Sequence, residues 1–369
     1  MRKARWLAPW KDSRVKPVIY HCVSRVVERR FAFGDVEREQ FRIFMRMYEN
    51  FSGCRVLSYC IMSNHIHILL EVPPMPEGGL SDEGLLNRLR AIYSEAVVAD
   101  VEKELKQARS KDLSDYAAEI HARYAYRMHN LSEFMKTVMQ RMTQWFNREH
   151  NRTGTLWESR FTSVIVESGI AARMIAAYID LNPVRVGLVT DPAEYRWSGY
   201  GEAVGGGAKG NGKKAREGLV RACMSQKGVG FEAEKWQEVA RVYRKLLGVA
   251  LERKAGRAGE MVAAEKKKRL AAVTDKLLQR GAKSDGNAVK QEDDEMVLRE
   301  MEMAAMLRHR VRYFTAGAVI GSKMFVNEAF AQARERFGGK RKDGARKMRG
   351  SAEAVATTLW SARDLRVEV

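Results

Sequence analysis

Two histidines stand two residues apart in the apolar run "YCIMSNHIHILLEVP", residues 59–73. Side chains alternate across a strand, so the spacing decides what they can do. His65, His67, Leu69 and Glu71 share one face; Ile66, Ile68, Leu70 and Val72 share the other, a continuous apolar surface that must pack on a core. The first face sets two imidazoles side by side, with a carboxylate further along. Two neutral imidazoles so placed can hold one divalent metal and leave positions open for other ligands. The plainer alternative is a half-exposed sheet face that happens to carry two histidines. Cys60 precedes them on the neighbouring strand, but no further Cys or His follows at usable spacing, so a closed structural zinc site is not expected.

A second candidate is "AAYIDLNPVRVGLV", residues 176–189. Tyr178 and Asn182 are four apart and so lie on the same side of a helix. Asn182 would present its carbonyl oxygen at the helix end, where it could serve as a third ligand. The competing reading is a core tyrosine among alanines and isoleucines, followed by Asn-Pro as an ordinary helix stop.

The surrounding elements must position these groups. "PVIYHCVSRVV" (17–27) is β-branched and aromatic, as a strand requires. A helix with Asp35 as N-cap follows, carrying Phe41, Phe44, Met45 and Tyr48 on one face. "CRVLSYCIM" and "HIHILLEV" form a hairpin turning at residues 63–64, and 82–130 reads as an inserted helical pair. Leu131, Phe134, Met135, Val138, Met142, Trp145 and Phe146 then repeat at helical spacing, "TLWESRFTSVIVES" (155–168) resumes a strand, and "GIAARMIAAYIDL" is a helix ending at Asn182-Pro183. Strand, helix, two strands, helix and strand suggest an α+β fold with a ferredoxin-like antiparallel sheet.

Residues 1–202 are expected as one domain, 203–214 ("AVGGGAKGNGKK") as a flexible linker, and 215–369 as a mainly helical, basic, DNA-binding region. Within it, 252–283 reads as a solvated Lys/Arg/Ala-rich helix and 283–295 as a break. Ser322 caps a helix bearing Val326, Phe330, Ala333 and Phe337, closed by Gly338 and followed by a basic tail at 340–350; a helix-turn-helix-like DNA reader is one use for it.

A formal net charge of +19 over 369 residues points to a polyanionic partner, nucleic acid first. No apolar run is long enough to span a membrane. The basic start lacks the apolar core of a secretory leader, and the four cysteines form no CxxC pair; reduced thiols and a cytoplasmic location are expected.

Taken in order, "YHCVSR", "MSNHIHILLE", "GTLWESRF" and "YIDLNPVRVGLV" resemble the HUH single-tyrosine transposases, most of all the REP-associated tyrosine transposases, over roughly residues 15–200. The resemblance implies a ferredoxin-like HUH nuclease sheet with the metal site on its face. It makes His65 and His67 ligands of Mg2+ or Mn2+ and Tyr178 the nucleophile. Asn182 falls where relatives often carry Gln or another polar residue. It further implies single-strand DNA cleavage with a 5′-phosphotyrosine and a free 3′-OH, on hairpin-forming repeats. Arg25, Arg29, Arg30, Arg160 and Arg185 are expected to hold phosphates, and Trp157 and Phe161 to stack unpaired bases or else to lie in the core. Two departures are the insertion at 82–130 and the long C-terminal segment. A catalytically decayed DNA-binding regulator on the same fold is the alternative, and monomer and homodimer both remain open.

Overall fold

A computed structural model describes residues 6–207, 210–224, 233–251, 307, 313–337, 344–348 and 358–363. Expectations for 252–295, for Gly338 and for the ends of the basic tail fall outside the described residues.

The chain opens with β1 (Val18–Arg25), α1 (Asp35–Ser52), β2 (Arg55–Ile61) and β3 (His65–Val72). Gly34 rather than Asp35 is the N-cap of α1; its N–H is held by the Glu37 carboxylate at 2.8 Å. The insertion holds three helices, not two: α2 (Asp82–Leu89), α3 (Glu95–Ser110) and α4 (Ser114–Ala125). Asp82 ties them together, accepting from Arg109 of α3 at 2.8 Å and bonding His121 of α4 at 2.8 Å. Then come α5 (Leu131–Glu149), capped by Asn130, and β4 (Thr162–Val166). The expected strand over 155–161 shrinks to one bridge, Val26 with Trp157.

These four strands lie in the order β2-β3-β1-β4, each antiparallel to its neighbour, which is the ferredoxin-like arrangement. Both faces are covered, so the strands are buried nearly throughout. On one face α1 sets Arg46 over the Tyr59 ring of β2. On the other lies α6 (Ile170–Asp180), whose Asp180 accepts from Ser58 of β2. Gly169, at φ +80, makes the turn from β4 into α6.

After α6 the backbone stays helical for one more turn, α7 (Asn182–Arg185), because Pro183 sits in its first turn, where a missing N–H costs nothing. Residues 203–214 are not an open linker: α8 (Gly199–Gly205) ends and α9 (Asn211–Cys223) begins inside them. Helix α9 presses on β2 so closely that a Cβ at Gly218 would lie 2.4 Å from the Val56 carbonyl oxygen. With α10 (Ala233–Leu251) it lies on the α6 side of the sheet.

The described C-terminal segment is helical in part, with a short helix Tyr313–Ala316 and a longer one Lys323–Gln332 capped by Ser322. It also adds β5 (Gly317–Gly321), β6 (Arg346–Lys347) and β7 (Trp360–Arg363), which continue the sheet in the order β4-β5-β7-β6. Strand β5 runs parallel to β4. The segment expected as a separate region is thus sheet-continuous with the first 200 residues. Helix Lys323–Gln332 packs on β5 and β7 and buries Val326, Ala329 and Phe330 there, so its apolar face is core. No described helix is long and apolar enough to cross a membrane.

Candidate active site

Register brings the histidines together. In the β1–β3 ladder Val23 faces His67 and Arg25 faces His65, which places His21 diagonally beside His67 on the same face. The His65 and His67 rings are 5.0 Å apart, nearly perpendicular, and the His21 and His67 rings are stacked at 5.2 Å. Helix α6 crosses this face and sets the Tyr178 ring 5.9 Å from His67 and 6.1 Å from His21.

The face is not half-exposed: His67 is 3% exposed and His21 fully buried. Burial holds all three imidazoles neutral. His21 and His65 are pushed down to about 4 by desolvation, and the Arg25 charge adds to the effect on His65. His67 is lowered further still, by burial and by the neighbouring imidazoles and guanidiniums.

The hydrogen bonds then assign the tautomers. A backbone carbonyl only accepts, so the contact of 2.6 Å between His21 Nδ1 and the Phe314 oxygen puts the His21 proton on Nδ1. The neutral ring offers its Nε2 lone pair, 3.0 Å from His67 Nδ1, which must donate. His65 Nδ1 faces Asn64 Oδ1 at 2.6 Å, and the Asn64 amide is oriented by its own donation to the Arg29 carbonyl. Both His65 and His67 therefore keep Nε2 as a lone pair. Two neutral imidazoles with matching free nitrogens fit a divalent ion that leaves positions for oxygen ligands. Cys60, opposite His67 in the ladder, is a buried thiol pushed far up by desolvation, with its sulfur 3.5 Å from that of Met62. Among the described residues no group of three or more His, Cys, Asp or Glu side chains is arranged to hold a metal.

Tyr178 is half-buried, and its hydroxyl makes no hydrogen bond to a described residue. Desolvation pushes the phenol above its ordinary value, while the charges of Arg185 and Arg25 pull it down. Asn182 donates to the carbonyls of Tyr178 and Ile179 at 3.0 and 3.2 Å. Its hydrogen bonds run back to α6, and among the described residues none reaches either histidine.

Of the expected DNA contacts, Arg25, Arg29, Arg30 and Arg160 are exposed. Arg29 and Glu28 sit in left-handed backbone at φ 55 and 56, a tight turn off the end of β1, and Arg30 pairs with Glu28. Arg185 is instead committed inside the protein, to the Tyr178 carbonyl and to Leu307. Trp157 and Phe161 are core, 7% and 3% exposed. The Trp157 indole donates to the Met139 carbonyl at 3.0 Å and packs edge-on against Phe33 and Phe41, so neither aromatic can stack a base. Glu71, on the face of the histidines, is spent in a buried pair with Arg221.

Residues 14–107, which include both histidines and Arg25, match the model of a family described as IS200-like transposases. The chain is similar to the IS200-like transposases. The matched segment stops short of Tyr178, so it speaks to the histidine hairpin and not to the tyrosine helix. A solved structure described as a REP-associated tyrosine transposase bound to a REP hairpin shares 12% identity, with a TM-score of 0.34, over 63% of this chain and 96% of that one. No curated protein matches the chain.

Sequence reasoning missed His21, which stood in the quoted "YHCVSR". A histidine inside a β-branched strand was the available signal; its meaning needed the ladder register. Nothing in the sequence pointed to Phe314 or Leu307.

Proposed function

We propose that the protein is a metal-dependent single-strand DNA transesterase of the transposase type, with Tyr178 as nucleophile and hairpin-forming repeat DNA as substrate. The observation that carries this reading is the approach of Tyr178, on α6, to within 5.9 Å of His67, ring to ring, across more than a hundred residues of chain. The similarity of residues 14–107 to IS200-like transposases and the net charge of +19 support it.

His65 and His67 would hold Mg2+ or Mn2+ through Nε2; when bound there, a divalent ion supplies Lewis acidity at a non-bridging phosphate oxygen. Tyr178 Oη attacks phosphorus, the bond to the 3′-oxygen breaks, and the phenol proton is lost as the 3′-oxygen leaves as a hydroxyl. The product is a 5′-phosphotyrosine, and because one ester replaces another, a second 3′-OH can reverse the step without ATP. Arg25, at the edge of the histidine face, would hold the phosphate, and Arg29, Arg30 and Arg160 would guide the strand. The residues given chemical roles, His65, His67 and Tyr178, all lie within the first 202 residues, and the site of action is cytoplasmic in this reading.

The test is incubation of labelled single-stranded hairpin DNA with the protein and Mg2+ or Mn2+, beside Tyr178→Phe, with products run on a denaturing protein gel. A metal-dependent covalent band absent from the variant is expected. Retarded DNA with no covalent band, over several hairpins and both metals, would replace this reading with that of a DNA-binding regulator.

A further inference from the structure

The C-terminal segment meets the histidine face at Phe314. The Phe314 carbonyl oxygen lies 2.6 Å from His21 Nδ1, joining residues 293 apart in sequence. Phe314 is itself fixed: its ring is fully buried and packs on Tyr178 with centroids 5.0 Å apart, and the strand that follows it, β5, is paired to β4. His21 is fully buried between this carbonyl and His67. Each of its ring nitrogens has one partner, and the two bonds run in one direction, from His67 Nδ1–H to His21 Nε2 and from His21 Nδ1–H to the carbonyl. Reversing either proton would set N–H against a group that cannot accept it or lone pair against lone pair.

We propose that His21 is a positioning residue, held by the Phe314 carbonyl, that keeps the His67 proton on Nδ1 and so leaves His67 Nε2 as the metal-binding lone pair. This rests on the proposed metal role of His65 and His67. A ligating imidazole is ordinarily oriented through its other ring nitrogen, and loss of such a partner costs about 10–100-fold in metal affinity. His65 obtains the same orientation locally, from Asn64 beside it. His67 obtains it from the far end of the chain, so the C-terminal segment is a working part of the site as well as an extension of the sheet.

The test uses the full chain, labelled with 15N at its histidines. Long-range 1H–15N correlation spectra report the His67 tautomer without metal, and Mn2+ titration reports affinity. Wild-type protein is expected to show His67 protonated on Nδ1; protonation on Nε2 overturns the proposal whatever any variant does. His21→Leu is expected to lose the single tautomer and to weaken Mn2+ binding by about 10–100-fold. His21→Gln, which again places a donor beside an acceptor, is expected to recover both. A folded His21→Leu with unchanged tautomer and affinity overturns the inference and leaves the metal reading standing. Wild-type protein with the expected tautomer that binds neither Mn2+ nor Mg2+ overturns the metal reading, and the purpose assigned to His21 with it.

Discussion

The Arg185 guanidinium lies 4.6 Å from the centre of the Tyr178 ring while donating to the Tyr178 and Leu307 carbonyls at 3.2 and 2.9 Å. The tyrosine is thereby held between a cation and the C-terminal segment. A positive charge beside a phenol favours its ionised form. Arg185→Ala is expected to push the Tyr178 hydroxyl further up and to slow adduct formation by about 10-fold or more at neutral pH. Arg185→Lys keeps the charge, loses the planar fork, and should fall between. Rates of covalent-band formation from pH 7 to 10 decide it; superimposable profiles for wild type and Arg185→Ala would remove Arg185 from the chemistry.

The two histidines differ in what else they support. His67→Ala takes the donor from a fully buried His21 nitrogen, a loss of about 1–3 kcal/mol before any cavity cost. His65→Ala gives up a bond to an adjacent side chain at a half-buried position and should cost under about 1 kcal/mol. Urea unfolding without metal should therefore rank His67→Ala as the less stable, although both are expected to abolish metal-dependent cleavage. The reverse ranking would contradict the hydrogen-bond assignment.

Asp180 makes stability depend on pH. Burial raises its carboxyl to about 7, against the opposing pull of hydrogen bonds from Tyr243, the Tyr200 backbone and Ser58. An unfolded aspartate loses its proton near about pH 4. Between those values the native state holds the extra proton, so stability falls as pH rises, by up to about 1.4 kcal/mol per unit, and the loss is complete above the native value. Asp180→Asn keeps a polar group facing the same hydroxyls and should flatten that slope. Denaturation curves at pH 4.5, 6 and 7.5 test this, and an unchanged slope in the variant would place the dependence elsewhere.

Aromatic and basic candidates should separate cleanly. Trp157→Ala removes a core indole and is expected to cost about 3–5 kcal/mol. Arg25→Ala and Arg160→Ala should leave stability within about 0.5 kcal/mol. Each should weaken hairpin binding and lower the salt slope of log K by about 1. Melting curves and binding isotherms at several salt concentrations provide the check. A stable Trp157→Ala with weakened DNA binding would restore the stacking role that burial denies it.

The parts that local pattern could specify were legible. The ferredoxin-like character of the first four strands followed from the succession of elements, and the His65–His67 face from alternation alone. What was lost depended on pairing between distant segments. Trp157 and Phe161 look alike as stackers or as core until Phe33 and Phe41 are seen against the indole. Glycines at 205–207 and 210 suggested a linker, yet they let α8 and α9 turn tightly, with Gly206 and Gly212 in close approach. The three C-terminal strands escaped notice because two of them are four residues long or fewer and the third, "GAVIG", is bounded by glycines.

The pairing of Ile165 with Val319 and of Val166 with Ile320 bears on how the chain is made. In a four-stranded ferredoxin-like sheet β4 would be a bare edge, with unpaired N–H and C=O groups open to any passing strand. During synthesis that edge emerges well before β5 does, and domains fold from the N-terminal side as they appear. The nascent protein must therefore pass through a stage with an adhesive flank, and a product cut short after residue 202 would keep it for good. Arrival of β5, rather than folding of the first four strands, is the event that covers the flank of β4.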